Sequence, residues 1–175
     1  VLSFARGVEG RRLPVQLGSI IDELLTFGRE TLPPDIRLAS EIAPELWSVE
    51  GDPTQLLQVL MNLLTNARDA MPDGGQVTIT ARNVTLADTY SSVTHLATPG
   101  DYVHIQVEDD GIGMTKEVVD KIFEPFFTTK EHGRGTGLGL AVSIAIIRSH
   151  GGFMQVYSEP GTGSRFQLHL PAFAG

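Results

Sequence analysis

Apolar residues recur along this chain with two periods, one near 3.6 residues and one of two residues, which predict helices and strands respectively. Leucine and isoleucine at helical spacing predict a first amphipathic helix within residues 14–33, which proline closes. A second helix is predicted over residues 52–70. Asp52 is its expected N-cap, Pro53 occupies the first helical position, and Gln55 is placed to complete a capping box.

A third helix is predicted over residues 138–149, which are apolar almost all round and are therefore expected to be buried. Residues 86–100 are rich in Ser, Thr, Asp and Pro and predict a surface loop. Helices and strands alternate irregularly, which favours an α+β two-layer sandwich with a mixed sheet over a doubly wound parallel sheet. The segments with strand-like patterns are 36–42 with a short partner at 46–49, 76–83, 102–107, 153–157 and 165–170.

Composition limits the classes of function. A length of 175 residues fits one domain, and the absence of cysteine excludes disulfides and thiolate zinc sites. No apolar run is long enough to cross a bilayer, so we expect a cytoplasmic domain without direct membrane contact, any anchor lying outside this chain. The net charge of -8 disfavours a nucleic-acid surface. A single nucleotide needs only local cations, for which Arg68, Lys130 and Arg134 are suitably placed.

The second helix carries a polar stripe opposite its leucines. One interpretation is a solvated face, but such a face more often carries Glu and Lys than asparagine, which is a poor helix former. The alternative is a ligand site: an amide oxygen can bind Mg²⁺ that phosphates already neutralise, and an amide nitrogen can donate to phosphate. The stripe comprises Gln55, Gln58, Asn62, Asn66 and Asp69.

Asp109 ends an apolar strand and precedes a turn containing Gly111 and Gly113. An ordinary β-turn is the simpler interpretation. A buried carboxylate at this position could instead accept the exocyclic amine of adenine and exclude guanine, which presents an acceptor there. The two glycines would let the backbone pass close to the base.

A second glycine series, Gly135, Gly137 and Gly139, opens the third helix. A flexible loop is the simpler interpretation, but helix N-terminal amides also favour phosphate. Polar residues before the series, which include Thr128, Thr129, Lys130 and Arg134, could add hydroxyl and cationic contacts. The five histidines show no metal-ligand spacing, which favours surface or hydrogen-bonded roles.

In this order and spacing the motifs resemble the N, G1, F and G2 boxes of bacterial sensor histidine kinases, closest to the nitrogen-regulation and hybrid-kinase branch. The resemblance implies the Bergerat fold, a mixed sheet of about five strands packed on three helices with an ATP lid, shared with gyrase, mismatch-repair ATPases and heat-shock chaperones. The motifs are NLLTNA at 62–67, DDGIG at 109–113, FEPFF at 123–127 and GTGLGL at 135–140.

The resemblance also assigns ligands: ATP and Mg²⁺. Asn66 would hold Mg²⁺ with help from Asn62, and Asp109 would bind the adenine amine. Ser164 stands where the family usually has a threonine near the base. The pocket and lid would be formed by Gly111, Gly113, Gly135, Thr136, Gly137, Leu138 and Gly139.

The sequence leaves three candidates for the residue that contacts the γ-phosphate. Many of these kinases have a basic residue where this chain has Asp69. Lys130 and Arg134 are expected near the β- and γ-phosphates, and the contact to the γ-phosphate falls to Arg68 or to one of these two residues.

Asn62 occupies the position at which hydrolysing relatives carry a general-base glutamate, so no residue of this chain is expected to act as base or nucleophile. The resemblance implies phosphoryl transfer to a histidine on a separate dimerisation domain, with a response regulator receiver domain downstream. Residues 1–13 would be the end of a dimerisation helix and a linker, residues 14–175 the kinase domain, and the isolated chain a monomer. The alternatives are a nucleotide-sensing module without transfer and a gyrase- or chaperone-type ATPase.

Overall fold

The computed structural model describes residues 12–87, 98–124 and 139–173. Its helices are α1 (Leu17–Thr31), α2 (Pro53–Asp69), the single turn α3 (Lys116–Val119) and α4 (Gly139–Ser149). Its strands are β1 (Leu13–Val15), β2 (Ile36–Ile42), β3 (Val49–Gly51), β4 (Gly75–Leu86), β5 (Gly100–Asp109), β6 (Phe153–Glu159) and β7 (Gly163–Pro171).

A five-stranded sheet in the order β2-β4-β5-β7-β6 organises the fold. β2 and β4 are parallel, and the other neighbouring pairs are antiparallel. The predicted mixed sheet of an α+β sandwich is therefore confirmed. Parallel pairing of β2 with β4 is possible because α2 lies in the connection between them.

The core lies between one face of this sheet and the helices α1, α2 and α4. Val77, Ile79 and Ala81 on β4 alternate inward and are buried, as their period of two predicts. On α2 the predicted apolar face is buried too, comprising Leu56, Leu60, Leu63, Leu64 and Ala67. α4 is less enclosed than predicted, because Ala141, Ser143, Ile146 and Ile147 are its buried residues while Arg148 is exposed.

The pairing of β3 corrects the sequence interpretation. A short partner for β2 was expected at residues 46–49, but the strand is Val49–Gly51, and it pairs with β1 in a separate two-stranded sheet. Three residues carry too little pattern to specify a partner. β1 also spans the predicted boundary at residue 13, because Leu13 pairs with Gly51. The assignment of residues 1–13 to a preceding helix stays a prediction, since residues 1–11 lie outside the described ranges.

At the start of α2 the predicted capping box is only partly realised. Asp52 is the N-cap as predicted, and its carboxylate accepts hydrogen bonds from the backbone amides of Thr54 and Gln55. The capping box is not completed, because the Asp52 amide donates to Nε2 of His150 at 3.0 Å. The side chain of Gln55 is buried instead, and its Oε1 has no hydrogen-bond partner within the described residues.

Candidate functional site

Asn62, in the polar stripe of α2, lies against the start of α4. Asn62 donates from Nδ2 to Oγ of Ser143 at 3.2 Å. A Cβ atom added to Gly139 would collide with the Asn62 amide, so any larger residue at the start of α4 would displace this side chain. Asn62 and Gly139, both predicted site residues, are therefore in contact.

Asp109 lies at the end of β5 on the helix-facing side of the sheet, two residues beyond buried Val107. The residue is only 7% exposed. Its Oδ1 accepts a hydrogen bond from the Gly111 amide at 2.9 Å, and Ser164 stands directly opposite it on β7. Asp109 and Ser164, each of which the resemblance assigns near the base, are thus neighbours in the strand register.

Burial raises the pKa of Asp109 above its usual value. Backbone hydrogen bonds from Gly111 and Ser164 oppose this increase, whereas the neighbouring carboxylates Asp110 and Glu108 add to it. An ionised carboxylate offers about four lone-pair sites, so these two amides leave acceptor capacity for a ligand. Asp109 can accordingly accept a further donor such as an exocyclic amine.

The turn after Asp109 rests on the C-terminal end of α2. The amide of Ile112 donates to the Ala70 carbonyl oxygen at 2.8 Å, and a Cβ atom on Gly111 would collide with the same carbonyl group. The Ala70 amide in turn donates to the Asn66 carbonyl oxygen at 3.0 Å. Two short backbone contacts thus connect the turn at residues 110–113 to Asn66.

The β6–β7 hairpin holds the other side of this turn. Gly113 has φ of 70°, a left-handed conformation that favours glycine, and a Cβ atom there would collide with the Glu159 carbonyl oxygen. The Gly161 amide donates to the Ile112 carbonyl oxygen at 2.7 Å. The turn is therefore fixed from two directions and presents a defined backbone surface.

Two serines that the sequence analysis did not identify support the site. Ser143 on α4 contacts Asn62, and Ser158 on β6 accepts from the Met114 amide at 2.8 Å and lies 2.8 Å from Oγ of Ser164. Ser143 is a buried polar residue in an otherwise apolar helix, which is a signal that the sequence does contain. Ser158 carries no such signal.

The lid residues Lys130, Arg134, Gly135, Thr136, Gly137 and Leu138 lie outside the described residues. Arg68, the other candidate for the γ-phosphate, forms an ion pair with Asp69 at 3.1 Å. Both side chains are about a third exposed or more, so the pair contributes about 0–1 kcal/mol and can exchange for another anion.

A depression of about 210 Å³ lies nearby but is a poor nucleotide site. Its lining comprises Gln76, Thr78, Glu108, Asp109, Asp110 and Thr162, so the depression reaches Asp109 at the end of β5. The register partners Thr78 and Glu108 alternate with Val77 and Asp109, so their side chains lie on the sheet face opposite the helices. Its acidic lining, with Asp110 beside Glu108, would repel phosphate. Within the described ranges, no group of three or more His, Asp or Glu residues could hold a metal ion.

A comparison with protein families matches residues 51–174 to the histidine kinase-, DNA gyrase B-, and HSP90-like ATPase family. The sensor kinase CckA of Brucella abortus is 42% identical over 98% of this chain and 18% of its own length. Sporulation kinase E of Bacillus subtilis is 39% identical over 78% of this chain and 16% of its own length. The chain thus spans less than a fifth of either relative.

Solved structures agree with this result. The catalytic domain of the histidine kinase ThkA matches with a TM-score of 0.75 and 30% identity, covering 93% of this chain and 96% of that one. Full-length ShkA in complex with AMPPNP matches with a TM-score of 0.77 and 27% identity, covering 99% of this chain and 35% of that one. In the part of the chain that the structure describes, no helix has both the length and the apolarity to span a bilayer. The chain therefore belongs to the histidine kinase-, DNA gyrase B- and HSP90-like ATPase family, and within it to the ATP-binding domains of sensor histidine kinases.

Proposed function

We propose that this domain binds Mg·ATP where α2, β5 and α4 meet and donates the γ-phosphoryl group to a histidine on a separate dimerisation domain. The observation that carries the proposal is the contact chain from Asp109 through Gly111 to the end of α2, one turn beyond Asn66. The relatives named as sensor and sporulation kinases support the same reaction.

The described residues fit Mg·ATP. Asn66 and Asn62 are half-buried amides one helical turn apart, and their oxygens suit Mg²⁺ whose charge the phosphates balance. Because Nδ2 of Asn62 donates to Ser143, its Oδ1 is the atom left to face a ligand. When bound, Mg²⁺ would neutralise the charge on the phosphate oxygens during transfer.

Base specificity would come from Asp109. Its carboxylate accepts but does not donate when ionised, so it matches the exocyclic amine of adenine and repels the carbonyl oxygen of guanine. The backbone of Gly111 and Gly113 would form the wall beside the base, because side chains at these positions would collide with α2 and the β6–β7 hairpin. Ser164, opposite Asp109, would add a hydroxyl group near the base.

Catalysis by this chain would consist of positioning. Asn62 cannot take a proton from water, and a bound γ-phosphoryl group would therefore await a nucleophile from outside the domain. Imidazole of the dimerisation domain would be that nucleophile, and a receiver domain of a response regulator would accept the phosphoryl group next. The lid residues Lys130 and Arg134, or Arg68, would balance charge on the γ-phosphate.

The test is transfer of labelled γ-phosphate from Mg·ATP to an added sensor-kinase dimerisation domain that carries its histidine. Asn66→Ala should abolish most of the transfer, because the metal contact is lost. Gln58→Ala is the matched control, since Gln58 lies on the same polar stripe but is exposed. Equal transfer by Asn66→Ala and Gln58→Ala would contradict the proposal, as would a stoichiometric phosphohistidine on the isolated chain.

The alternatives give different products. Steady phosphate release by the purified domain, lost in Asn62→Ala, would favour an ATPase. Binding of Mg·ATP with neither release nor transfer would favour a nucleotide-sensing module.

A further inference from the structure

His150, at the end of α4, forms a three-way junction. Its Nδ1 lies 2.7 Å from the Ile146 carbonyl oxygen, and its Nε2 lies 3.0 Å from the Asp52 amide nitrogen and 3.1 Å from Nη1 of Arg12. A carbonyl oxygen only accepts hydrogen bonds, while a backbone amide and a guanidinium only donate them. The ring must therefore be neutral, with its proton on Nδ1 and its lone pair on Nε2.

The junction connects three parts of the chain. Asp52 is the N-cap of α2, His150 ends α4, and Arg12 immediately precedes β1. Arg12 also donates from Nη2 to the carbonyl oxygen and to Oγ of Ser149, at 3.1 and 3.2 Å. These contacts tie the entry of the chain into the domain to the C-terminal end of α4.

The same two helices meet again at the candidate nucleotide site. Asn62 of α2 contacts Ser143 and Gly139 of α4. Besides their apolar packing in the core, α2 and α4 are thus linked by polar contacts at two points, the junction and the Asn62 amide. Because helices are rigid elements, a displacement at the junction would shift α4 relative to α2 near Gly139 and Asn62.

We propose that His150 is a positioning residue, and that the junction of Arg12, His150 and Asp52 sets the spacing of α2 and α4 and transmits displacement of residue 12 to the nucleotide site. The last step of this proposal rests on the proposed function. The first step concerns only the placement of α4.

Protonation should open the junction. A proton on Nε2 would face two donors, the Asp52 amide and the Arg12 guanidinium, and Gly51 packs directly against the ring. The charged groups that face the ring are Arg12 and Asp52. Burial lowers the pKa of His150; the Ile146 carbonyl oxygen and Asp52 oppose this decrease, and Arg12 adds to it. The neutral form therefore prevails at neutral pH.

Three variants of the full chain test the proposal. Arg12→Met removes the guanidinium and keeps the length of the side chain, whereas Arg148→Met is the matched control on an exposed position of α4. His150→Gln places an amide oxygen where Nε2 accepts, and it cannot be protonated. The measurements are amide hydrogen exchange along α4 without nucleotide and the affinity for a Mg-bound nonhydrolysable ATP analogue, at neutral pH and at about pH 5.

Arg12→Met should lower the protection of α4 amides against exchange and weaken analogue binding by about two- to tenfold at neutral pH, the range expected for one lost hydrogen bond. Arg148→Met should do neither. In wild type the protection of α4, corrected for the intrinsic pH dependence of exchange, should fall at about pH 5, whereas His150→Gln should resemble wild type at neutral pH and lose most of this acid response.

Equal exchange in Arg12→Met and Arg148→Met, or an Nε2–H tautomer in the ¹⁵N spectrum of His150, would overturn the proposal. If α4 exchange responds but wild type does not bind the analogue, the proposed function fails while the junction stands. If wild type binds the analogue and Arg12→Met binds it with the same affinity, transmission to the site is overturned.

Discussion

Asp109 is a carboxylic acid buried at the end of β5, where it accepts hydrogen bonds from the Gly111 and Ser164 backbone and lies near the carboxylates of Asp110 and Glu108. Because its pKa is raised in the folded protein, its favourable contribution to folding is present below the unfolded value of 3.8 and is lost as the pH rises through the folded pKa. At neutral pH the ionised group therefore destabilises the empty domain. Such a residue is typical of a binding site, where a ligand compensates the desolvated charge.

Asp109→Asn should reduce the preference for adenine over guanine nucleotides, because an amide can donate to guanine as well as accept from adenine. Loss of a hydrogen bond to a charged group is expected to weaken Mg·ATP binding by about ten- to a hundredfold. Calorimetric titrations with Mg·ATP and Mg·GTP measure both quantities. Glu108→Gln is the control, because Glu108 lies on the opposite sheet face beside Arg165. An unchanged ATP-to-GTP ratio in Asp109→Asn would contradict the role of Asp109.

Gly111 and Gly113, in the turn after Asp109, should not tolerate a methyl group. Gly111→Ala places a Cβ atom against the Ala70 carbonyl group and is expected to lower the free energy of unfolding by about 1–3 kcal/mol. Gly18→Ala in α1 meets no atom within 4 Å and should instead raise it by about 0.5–1 kcal/mol. Urea denaturation measures both. Equal effects of the two variants would mean that the turn does not pack on α2 as described.

At the scale of elements, long periodic segments could be predicted and short ones could not. α2 was predicted from its N-cap, its proline and its leucine face, and it spans Pro53–Asp69. The predictions for the partner of β3 and for the role of Gln55 were wrong, because each depends on residues far along the chain. No local pattern shows that His150 accepts the hydrogen bond of the Asp52 amide, or that β1 is the partner of β3.

Gln55 provides a test of the α2 start. Since its Oε1 is buried without a hydrogen-bond partner within the described residues, Gln55→Met should raise the free energy of unfolding by about 1 kcal/mol. Urea denaturation compares this variant with wild type, and Asp52→Ala, which removes the true cap, should lower stability by about 1 kcal/mol. A loss of stability in Gln55→Met comparable to that in Asp52→Ala would indicate a capping box after all.

At the scale of the molecule, the face of the sheet away from the helices carries a second small cluster. Leu86, Tyr102 and Phe153 are buried there. His169 stacks on Phe153 with ring centroids 4.5 Å apart, and His104 lies 4.6 Å from His169. Burial, followed by His104 and Arg82, lowers the pKa of His169 to about 4. Burial likewise lowers the pKa of His104, with Arg82 adding to the decrease and Gln167 opposing it.

Both imidazoles should therefore make the fold sensitive to acid. A lowered pKa means that the stability contribution is complete above the unfolded value of 6.5 and is lost as the pH falls toward the folded value, which is about 4 for His169. For His169 the loss amounts to about 3 kcal/mol at most. Urea denaturation across this pH window should show a shallower pH dependence for His169→Gln than for wild type. Identical slopes would contradict the assignment of acid sensitivity to this cluster.

The molecule as a whole was predictable in outline. The irregular alternation of helices and strands indicated a mixed sheet, and the resemblance of the motifs to the kinase boxes indicated which residues converge. The contacts that bring them together, Ile112 on Ala70 and Gly139 on Asn62, depend on the packing of the finished fold. Pairing of Arg12 with His150, 138 residues apart, has no signature in a single sequence.

The central claim is that one Mg·ATP binds where α2, β5 and α4 meet. An amide ¹H–¹⁵N correlation spectrum titrated with a Mg-bound nonhydrolysable ATP analogue tests it residue by residue. We expect saturable shifts for the amides of Asn66, Gly111 and Ser164 and little change for Thr78 on the opposite sheet face. Largest shifts around Thr78 and Glu108, or no saturable shift at all, would contradict it.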